Sequence, residues 1–348
     1  MNQTLNGIRR ILITILVAMG VGALFIVAIG ENPIDAYAAL FRGAFDGELR
    51  LGTTLAGFTP LLLTSIAFAV AAKAGAFNVG VEGEVFLGGI TAAYIGINWT
   101  FLPKPALYVA CFVGAMVVAA AWAFIPAVLR AYYNVNEVCT TILMNTVALY
   151  ITSYLVSGPM SAGTANAQSL PVTVRLYQFM KPSSVNVGIF IAAITVIVII
   201  FMLQKSSWGY KIRTVGLNPT HAGYVGIDSK KVFVGAMMLS GMLGGMAGCI
   251  EVLGVHGYFL NNFATGLGSN GMLAALIVKN NMVSTPFMAF FLAVLKSGAM
   301  GMQQSTGVPK SLVDTITAVF IIIATMETAF QFTKKRKKKT EEKKEDKA

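Results

Sequence analysis

Two carboxylates stand close together in a glycine-rich part of the chain. Glu82 and Glu84 lie within Ala76–Gly89 (AFNVGVEGEVFLGG), a segment that otherwise has the composition of a membrane span. A carboxylate in a hydrocarbon setting is costly, so it is expected to face protein or water and to mark function. On a regular helix, residues two apart point about 200° away from each other, so the pair cannot face one cavity unless the glycines distort the helix. We expect a helix-breaking or packing segment, with a proton relay as the alternative.

Residue patterns of enzymatic sites are absent from the sequence. The two histidines, His221 and His256, lie in different surroundings and lack the spacing of a metal site or a catalytic triad. The segment Gly307–Ser311 (GVPKS) is no phosphate loop, because proline stands where that motif needs glycine before lysine. We therefore predict no enzyme, no cofactor and no metal, and any ATP that the protein uses must be hydrolysed by another polypeptide.

Glycine spacing predicts close helix packing in the second half of the chain. Gly241 with Gly245, and Gly244 with Gly248, each have the small-xxx-small spacing that lets two helices approach closely. Glycine-broken segments near 75–89 and 241–271 are typical of a duplicated transporter core, although the two halves do not align convincingly.

Composition indicates a membrane protein. Hydrophobic residues make up 56% and charged residues 12% of the 348, whereas soluble domains carry about 25% charged residues. The apolar blocks, roughly 18–24 residues each, are long enough to cross a hydrocarbon core of about 30 Å. We predict an all-α polytopic membrane protein with about ten transmembrane helices. The predicted spans are 11–29, 51–72, 77–97, 105–129, 138–156, 187–203, 232–254, 267–278, 284–302 and 312–330.

The distribution of basic residues predicts the orientation. With both termini in the cytoplasm, 19 of the 26 Lys and Arg residues lie inside and six lie outside, which is the expected positive-inside bias. Residues 1–332 are assigned to one transmembrane domain. The charged segment 333–348 lacks apolar periodicity and is predicted to be a disordered tail. Its run Lys334–Lys339 is typical of binding to anionic lipid, and no surface for reading nucleic acid accompanies the charge.

A long loop, 204–231, is predicted on the cytoplasmic side. Within it, Asn218 is a preferred N-cap, Pro219 suits the first helical position, and Gly226 can end a helix two turns later. This pattern predicts a short helix over Pro219–Val225. A discrete capped helix needs something to pack against, which favours a docking element for a cytoplasmic partner over a solvated connector.

Three ordered motifs resemble those of one family. Asn78–Gly83 (NVGVEG) resembles a segment of permease subunits in bacterial ABC importers for nucleosides and simple sugars. Asn136–Val138, followed by Thr141–Asn145, resembles a second signature that is more typical of the nucleoside branch. Arg213–Pro219 (RTVGLNP) resembles the start of their cytoplasmic coupling loop, and the similarity covers roughly residues 50–330. One departure is Glu84, which stands where many relatives carry Gln.

The resemblance implies a transmembrane permease subunit of an ATP-driven nucleoside importer in the bacterial cell membrane. Its implied partners are a second permease subunit in a heterodimer, an ABC ATPase subunit and an extracellular substrate-binding lipoprotein. The implied ATPase-coupling residues are Gly216, Asn218, Pro219, His221, Ala222, Tyr224 and Gly226. The candidate residues of the substrate path are Asn78, Glu82, Thr141 and Asn145, for each of which structural packing is the alternative role.

Other functions stay open at this point. An ion-coupled secondary transporter would use Glu82, Glu84 and Lys296 for coupling. A structural or sensory membrane protein would use its polar residues only to hold the helices together. Within the ABC family, ribose-like simple sugars and branched-chain amino acids are the alternative substrates.

Overall fold

The computed structural model describes residues 19–28, 30–306, 311, 312, 314, 315 and 318. In this part of the chain all regular structure is helical, and no β-strand forms. The helices are α1 (Met19–Ala28), α2 (Pro33–Phe45), α3 (Gly47–Lys73), α4 (Val81–Asn98), α5 (Lys104–Tyr133), α6 (Glu137–Ser157), α7 (Gly188–Lys205), α8 (Ser207–Leu217), α9 (Pro219–Tyr224), α10 (Ser229–Ile250), α11 (Leu267–Ile277) and α12 (Thr285–Thr306).

Six helices among the described residues are long and apolar enough to cross a membrane: α3, α5, α6, α7, α10 with its continuation to His256, and α12. They match the predicted spans 51–72, 105–129, 138–156, 187–203, 232–254 and 284–302 to within a few residues. Together α1 and α2 would make a seventh span, with a bend of 116° between them. The apolar blocks of the sequence therefore locate these helices correctly.

The predicted total of about ten spans is not confirmed. The predicted span 77–97 is the 18-residue helix α4, which begins only at Val81 and does not have the hydropathy of a span. The predicted span 267–278 is α11, whose 11 residues are too short to cross a bilayer. Of the predicted span 11–29, residues 19–28 are described, whereas most of 312–330, the whole tail 333–348 and Gly307–Lys310 lie outside the described residues.

The described residues form two compact units, 19–45 with 295 onward, and 46–294. In the smaller unit, α2 packs against the last part of α12 through glycines: a Cβ added at Gly43 would lie 2.7 Å from the Gly301 Cα atom. The larger unit contains helices α3 to α11.

Helix α10 lies in the core of the larger unit, against α3, α4 and α5. Its glycines remove the side chains that would keep these helices apart: a Cβ at Gly241 would lie 2.7 Å from the Ala119 carbonyl oxygen of α5. A Cβ at Gly248 would overlap the Val85 carbonyl of α4, and Gly245 packs directly on Gly88. The predicted small-xxx-small packing is therefore present, with backbone against backbone.

The C-terminal end of α10 is tied to the segment between α6 and α7. Helix α10 continues as a π-helix, Glu251–His256, whose wider turns leave carbonyl groups without helical partners. The Leu253 carbonyl accepts a hydrogen bond from the Leu176 N–H at 2.9 Å, and the Gly254 carbonyl accepts one from the Gln178 side chain at 2.8 Å. The irregular segment after α6 is thereby fixed in place.

The predicted loop 204–231 is mostly helical. The short helix expected over Pro219–Val225 is present as α9, one residue shorter. The preceding helix α8 was not predicted; it begins where the Ser206 hydroxyl accepts a hydrogen bond from the Gly209 N–H at 3.0 Å, a standard N-cap.

Candidate functional site

Helix α4 begins beside the middle of α10 rather than at its end. The Asn78 side chain, just before α4, donates a hydrogen bond to the Ser240 hydroxyl of α10 at 2.9 Å. A Cβ added at Gly244 would lie 2.9 Å from Glu84 Oε2. Ser240 and Gly244 lie well inside the candidate span Ser229–His256. The non-helical segment between α3 and α4 therefore lies inside the helix bundle and not at its surface.

Two asparagines satisfy the backbone of this break. Asn78 Oδ1 accepts a hydrogen bond from the Gly80 N–H at 3.0 Å, which holds the turn that delays the start of the helix to Val81. From α6, Asn145 donates to the Val79 carbonyl at 2.9 Å and accepts from the Gly83 N–H at 2.8 Å. Backbone groups that would otherwise be buried without partners are thus paired.

The two carboxylates of α4 have different surroundings, as helical geometry predicts for residues two apart. Glu84 is buried, and its Oε1 accepts a hydrogen bond from the Asn78 amide at 2.9 Å. Its Oε2 has no hydrogen-bond partner among the described residues. Glu82 is only half-buried, and its Oε2 accepts a hydrogen bond from the Ser269 hydroxyl at 3.3 Å. Only Glu82 is therefore within reach of a solute.

A second helix, α11, also begins inside the bundle. After the π-helix the chain turns at Gly257 and runs through 257–266 without forming an α-helix. It follows α4 on the way, since the Phe263 and Phe86 rings meet edge to face at 5.7 Å. The carbonyl of Leu267 then accepts a hydrogen bond at 3.3 Å from the Thr64 hydroxyl, in the interior of α3.

The starts of α4 and α11 meet at Glu82. A Cβ added at Gly268, in the first turn of α11, would lie 2.6 Å from the Glu82 backbone nitrogen. The next residue, Ser269, makes the hydrogen bond to the Glu82 side chain. Short helices that begin inside the membrane are typical of transporter binding sites, because the interrupted backbone there must be buried in protein or line a cavity.

All four residues predicted for the substrate path lie around the first turn of α4. A Cβ at Gly80 would lie 3.0 Å from Asn78 Oδ1 and 3.2 Å from the Thr141 Cβ atom. Asn78 and Thr141 are buried, and the Thr141 hydroxyl donates within its own helix, to the Glu137 carbonyl at 2.7 Å. The role of these four residues in the substrate path stays a prediction, since the hydrogen bonds described for them are all to other groups of the protein. The residues that the sequence did not point to at these helix starts are Ser240, which bonds to Asn78, and Ser269, which bonds to Glu82.

Another part of α4 borders a cavity. The cavity has a volume of about 450 Å³, within the usual range of small-molecule sites, and lies between α4, the end of α6 and the segment that follows it. Its polar lining comes mainly from the C-terminal half of α4. The lining residues are Ile90, Thr91, Tyr94, Ile97, Asn98, Leu155, Pro159, Met160 and Leu170.

The predicted coupling residues shape α9 and its flanks. Asn218 Oδ1 accepts a hydrogen bond from the His221 N–H at 3.0 Å, with Pro219 at the first helical position. Ala222 is buried and anchors the helix, and its carbonyl accepts a hydrogen bond from the Ile227 N–H at 2.9 Å. Gly226 has a φ of 77°, the left-handed conformation that glycine adopts without strain.

Large apolar side chains beside the α9 anchor face outward. Leu217 is 87% exposed and Tyr224 is 85% exposed. Gly216, next to Leu217, packs against the Lys73 carbonyl at the end of α3, and no side chain would fit between them. The α8–α9 segment therefore joins an exposed apolar surface to the helix that precedes the α4 break.

Among the described residues, no three His, Cys, Asp or Glu side chains are placed so that they could bind a metal ion together. The Glu251 and His256 side chains approach to 3.7 Å, which is one carboxylate–imidazole pair and not a ligand set.

Comparison with known proteins identifies the family. Residues 50–325 match the family model described as branched-chain amino acid transport system / permease component. The guanosine ABC transporter permease protein of Bacillus subtilis is 33% identical over 94% of this chain and 96% of its own. The glucose ABC transporter permease protein of Haloferax volcanii is 32% identical over 89% and 85%, respectively. The nucleoside ABC transporter permease protein of Lactococcus lactis is 30% identical over 92% and 91%.

These matches confirm the family that the three motifs predicted. They extend over the candidate spans α3 to α12 and include both helix starts at Glu82 and the α8–α9 segment. The chain is a multi-pass membrane protein and belongs to the family of permease components of branched-chain amino acid transport systems.

Proposed function

We propose that the chain is the membrane subunit of an ATP-driven importer that carries nucleosides across the bacterial cell membrane. The observation that carries this proposal is the meeting of the α4 and α11 starts at Glu82, which supplies a polar site inside the bundle. Two of the three relatives described above are named for guanosine or nucleoside transport. Their similarity extends over at least nine tenths of both chains.

The site chemistry suits a neutral, hydroxyl-rich solute. The side chains that face outward at the two helix starts carry hydroxyl and carboxylate groups, as in Ser269 and Glu82. Such groups satisfy the hydroxyls and base edges of a nucleoside by hydrogen bonding. The relative named for glucose keeps simple sugars as the second candidate, since a sugar offers similar hydroxyl groups.

The topology belongs to the proposal as well. Residues 1–332 form one permease domain of about ten membrane-embedded segments, with α4 and α11 among them as shorter ones. Both termini lie in the cytoplasm, and the basic tail 333–348 binds anionic lipid. The loop 204–231 then faces the cytoplasm, and the segment between α6 and α7 faces outward. The partners are a second permease subunit, an ABC ATPase and an extracellular substrate-binding lipoprotein.

The coupling role of α9 rests on its exposed surface. Leu217 at the end of α8 and Tyr224 at the end of the short, capped helix α9 offer exposed apolar side chains, a shape suited to a groove in an ATPase. Gly216 lies against Lys73, so motion imposed at α9 reaches the end of α3. In this scheme, ATP binding and hydrolysis by the partner change the geometry at Glu82.

Uptake in a deletion strain tests the function. Cells lacking this chain are complemented with the gene, and uptake of labelled guanosine is measured in competition with uridine, ribose, glucose and leucine. Restored uptake that only nucleosides inhibit supports the proposal, whereas inhibition by glucose or leucine alone assigns another substrate. Transport that survives loss of the ATPase gene but stops with an uncoupler would identify a secondary transporter.

A further inference from the structure

Four polar residues near the starts of α4 and α11 form what we call the polar strip: Glu82, Asn262, Thr265 and Ser269. Asn262, Thr265 and Ser269 are exposed, and Glu82 is half-buried. The strip is distinct from the network of Asn78, Glu84 and Ser240, in which the side chains are buried and bonded to one another.

The Glu82–Ser269 end of the polar strip lies level with the interior of the helix bundle. Glu82 lies between Asn78 and Gly88, which contact Ser240 and Gly245 in the middle part of α10. Leu267, two residues before Ser269, is bonded to Thr64 inside α3. Exposed polar groups and non-helical backbone at this depth are tolerated only where they face a water-filled cavity or protein, so the strip faces water or protein rather than lipid.

Hydrogen bonds from α6 and from the segment after it hold the turn that carries Asn262 and Thr265. The Ser153 hydroxyl of α6 donates to Asn261 Oδ1 at 2.7 Å, and the Asn261 N–H donates to the Ala167 carbonyl at 2.9 Å. The next residue, Asn262, has a φ of 61°, a left-handed conformation that asparagine tolerates better than most residues. These bonds fix the turn that carries Asn262 and Thr265.

The Glu82 carboxylate has spare hydrogen-bonding capacity. Its Oε2 accepts one bond from Ser269 at 3.3 Å, and no described residue donates to its other oxygen. A carboxylate has about four acceptor positions, and it can accept two hydrogen bonds from a pair of neighbouring hydroxyls. The adjacent hydroxyl and amide groups of the strip can serve the remaining polar atoms of such a ligand.

We propose that the polar strip binds the ribose of the transported nucleoside, with Glu82 accepting hydrogen bonds from the 2′- and 3′-hydroxyls. This assignment rests on the proposed function and specifies which half of the substrate the permease itself recognises. Ser269, which bonds to Glu82, lies beside the same sugar, and the exposed Thr265 and Asn262 are the further polar side chains of the turn before α11. A 2′-deoxynucleoside loses one of the two bonds to Glu82.

The test compares labelled guanosine with labelled 2′-deoxyguanosine in the complemented deletion strain. Both are supplied at concentrations that saturate uptake, so that the affinity of a separate binding protein does not set the rates. In the Glu82→Gln variant, the ratio of guanosine to 2′-deoxyguanosine uptake is expected to fall about 10-fold, the effect of one hydrogen bond to a charged group. Ser269→Ala, which keeps the carboxylate, lowers the ratio about 3-fold.

The control is Thr53→Val on α3. Thr53 is an exposed hydroxyl bonded to its own helix, at the Leu49 carbonyl at 2.8 Å, and it lies away from the strip. In Thr53→Val, the ratio of guanosine to 2′-deoxyguanosine uptake is expected to stay within twofold of the wild-type ratio. Membrane levels of each variant are measured by immunoblot, and Ser269→Ala decides the question if Glu82→Gln fails to accumulate.

The outcomes separate the two proposals. The ribose assignment is overturned if the wild type takes up nucleosides and the ratio of guanosine to 2′-deoxyguanosine uptake in Glu82→Gln and Ser269→Ala stays within twofold of the wild-type ratio. The transport function is unaffected by that result. No nucleoside uptake by the complemented wild type overturns the transport function and the ribose assignment with it.

Discussion

Asn145 of α6 brackets the start of α4: its Oδ1 accepts a hydrogen bond from the Gly83 N–H at 2.8 Å, while its Nδ2 donates to the Val79 carbonyl at 2.9 Å. One amide side chain thus pairs two backbone groups on either side of the helix start. These groups are partly buried in the helix bundle, so their pairing stabilises the break before α4.

Replacing Asn145 with Ala is therefore expected to destabilise the protein by about 2 kcal/mol, because it leaves a backbone donor and a backbone acceptor without partners. Thermal unfolding in detergent measures the change. The control is Asn98→Ala: Asn98 is exposed and bonds only within its own helix, to the Tyr94 carbonyl at 2.9 Å. Equal melting temperatures for the two variants would contradict this role of Asn145.

Gly88→Ala is expected to prevent normal packing of α4 on α10. The added methyl group would overlap backbone atoms of Gly245, and a backbone cannot rotate away as a side chain can. The matched control is Gly57→Ala in α3, where no atom lies within 4 Å of the added Cβ and alanine is the better helix former. The membrane level and melting temperature of both variants are compared, and a stable, abundant Gly88→Ala protein would argue against the contact.

Glu84→Gln is expected to be tolerated, whereas Glu84→Ala is expected to cost about 2–3 kcal/mol. Glutamine keeps the oxygen that accepts the Asn78 hydrogen bond and removes the cost of burying a carboxylate. Alanine leaves a cavity and an unpaired Asn78 donor. Uptake and thermal stability check both variants. Loss of uptake in a well-folded Glu84→Gln protein would instead assign Glu84 a function that needs its charge.

The sequence was sufficient to predict α9 because all of its signals are local. Asn218 caps it, Pro219 begins it, and Gly226 follows it, all within nine residues. The six long apolar helices were predictable for a similar reason, since a run of apolar residues of sufficient length needs no partner to be recognised.

The starts of α4 and α11 were not predictable in the same way. The break before α4 depends on Asn145 and Ser240, which are distant along the chain from Val79 and Asn78. The apolar pattern of 77–97 continues through the break, so composition alone placed the start of the helix too early. For the same reason no local pattern indicated that Ser269 would meet Glu82, a contact between residues 187 positions apart.

Tyr224→Ala is expected to weaken association with the ATPase while leaving the membrane level of the chain unchanged, because the side chain is 85% exposed and contributes little to the fold. Copurification of the ATPase and nucleoside uptake measure the effect. Tyr177→Ala is the control, since Tyr177 is 72% exposed in the segment between α6 and α7. Equal recovery of the ATPase with both variants would remove Tyr224 from the coupling surface.

The contact between Gly216 and the Lys73 carbonyl has a mechanical consequence. Backbone meets backbone there, so no side chain can change rotamer and absorb a displacement of α8. Four residues separate Lys73 from Asn78, whose hydrogen bonds hold the turn before α4. A small tilt of α8 is thus expected to displace the short segment that joins Lys73 to Asn78, and with it the hydrogen bonds that Asn78 makes to Ser240 and Glu84.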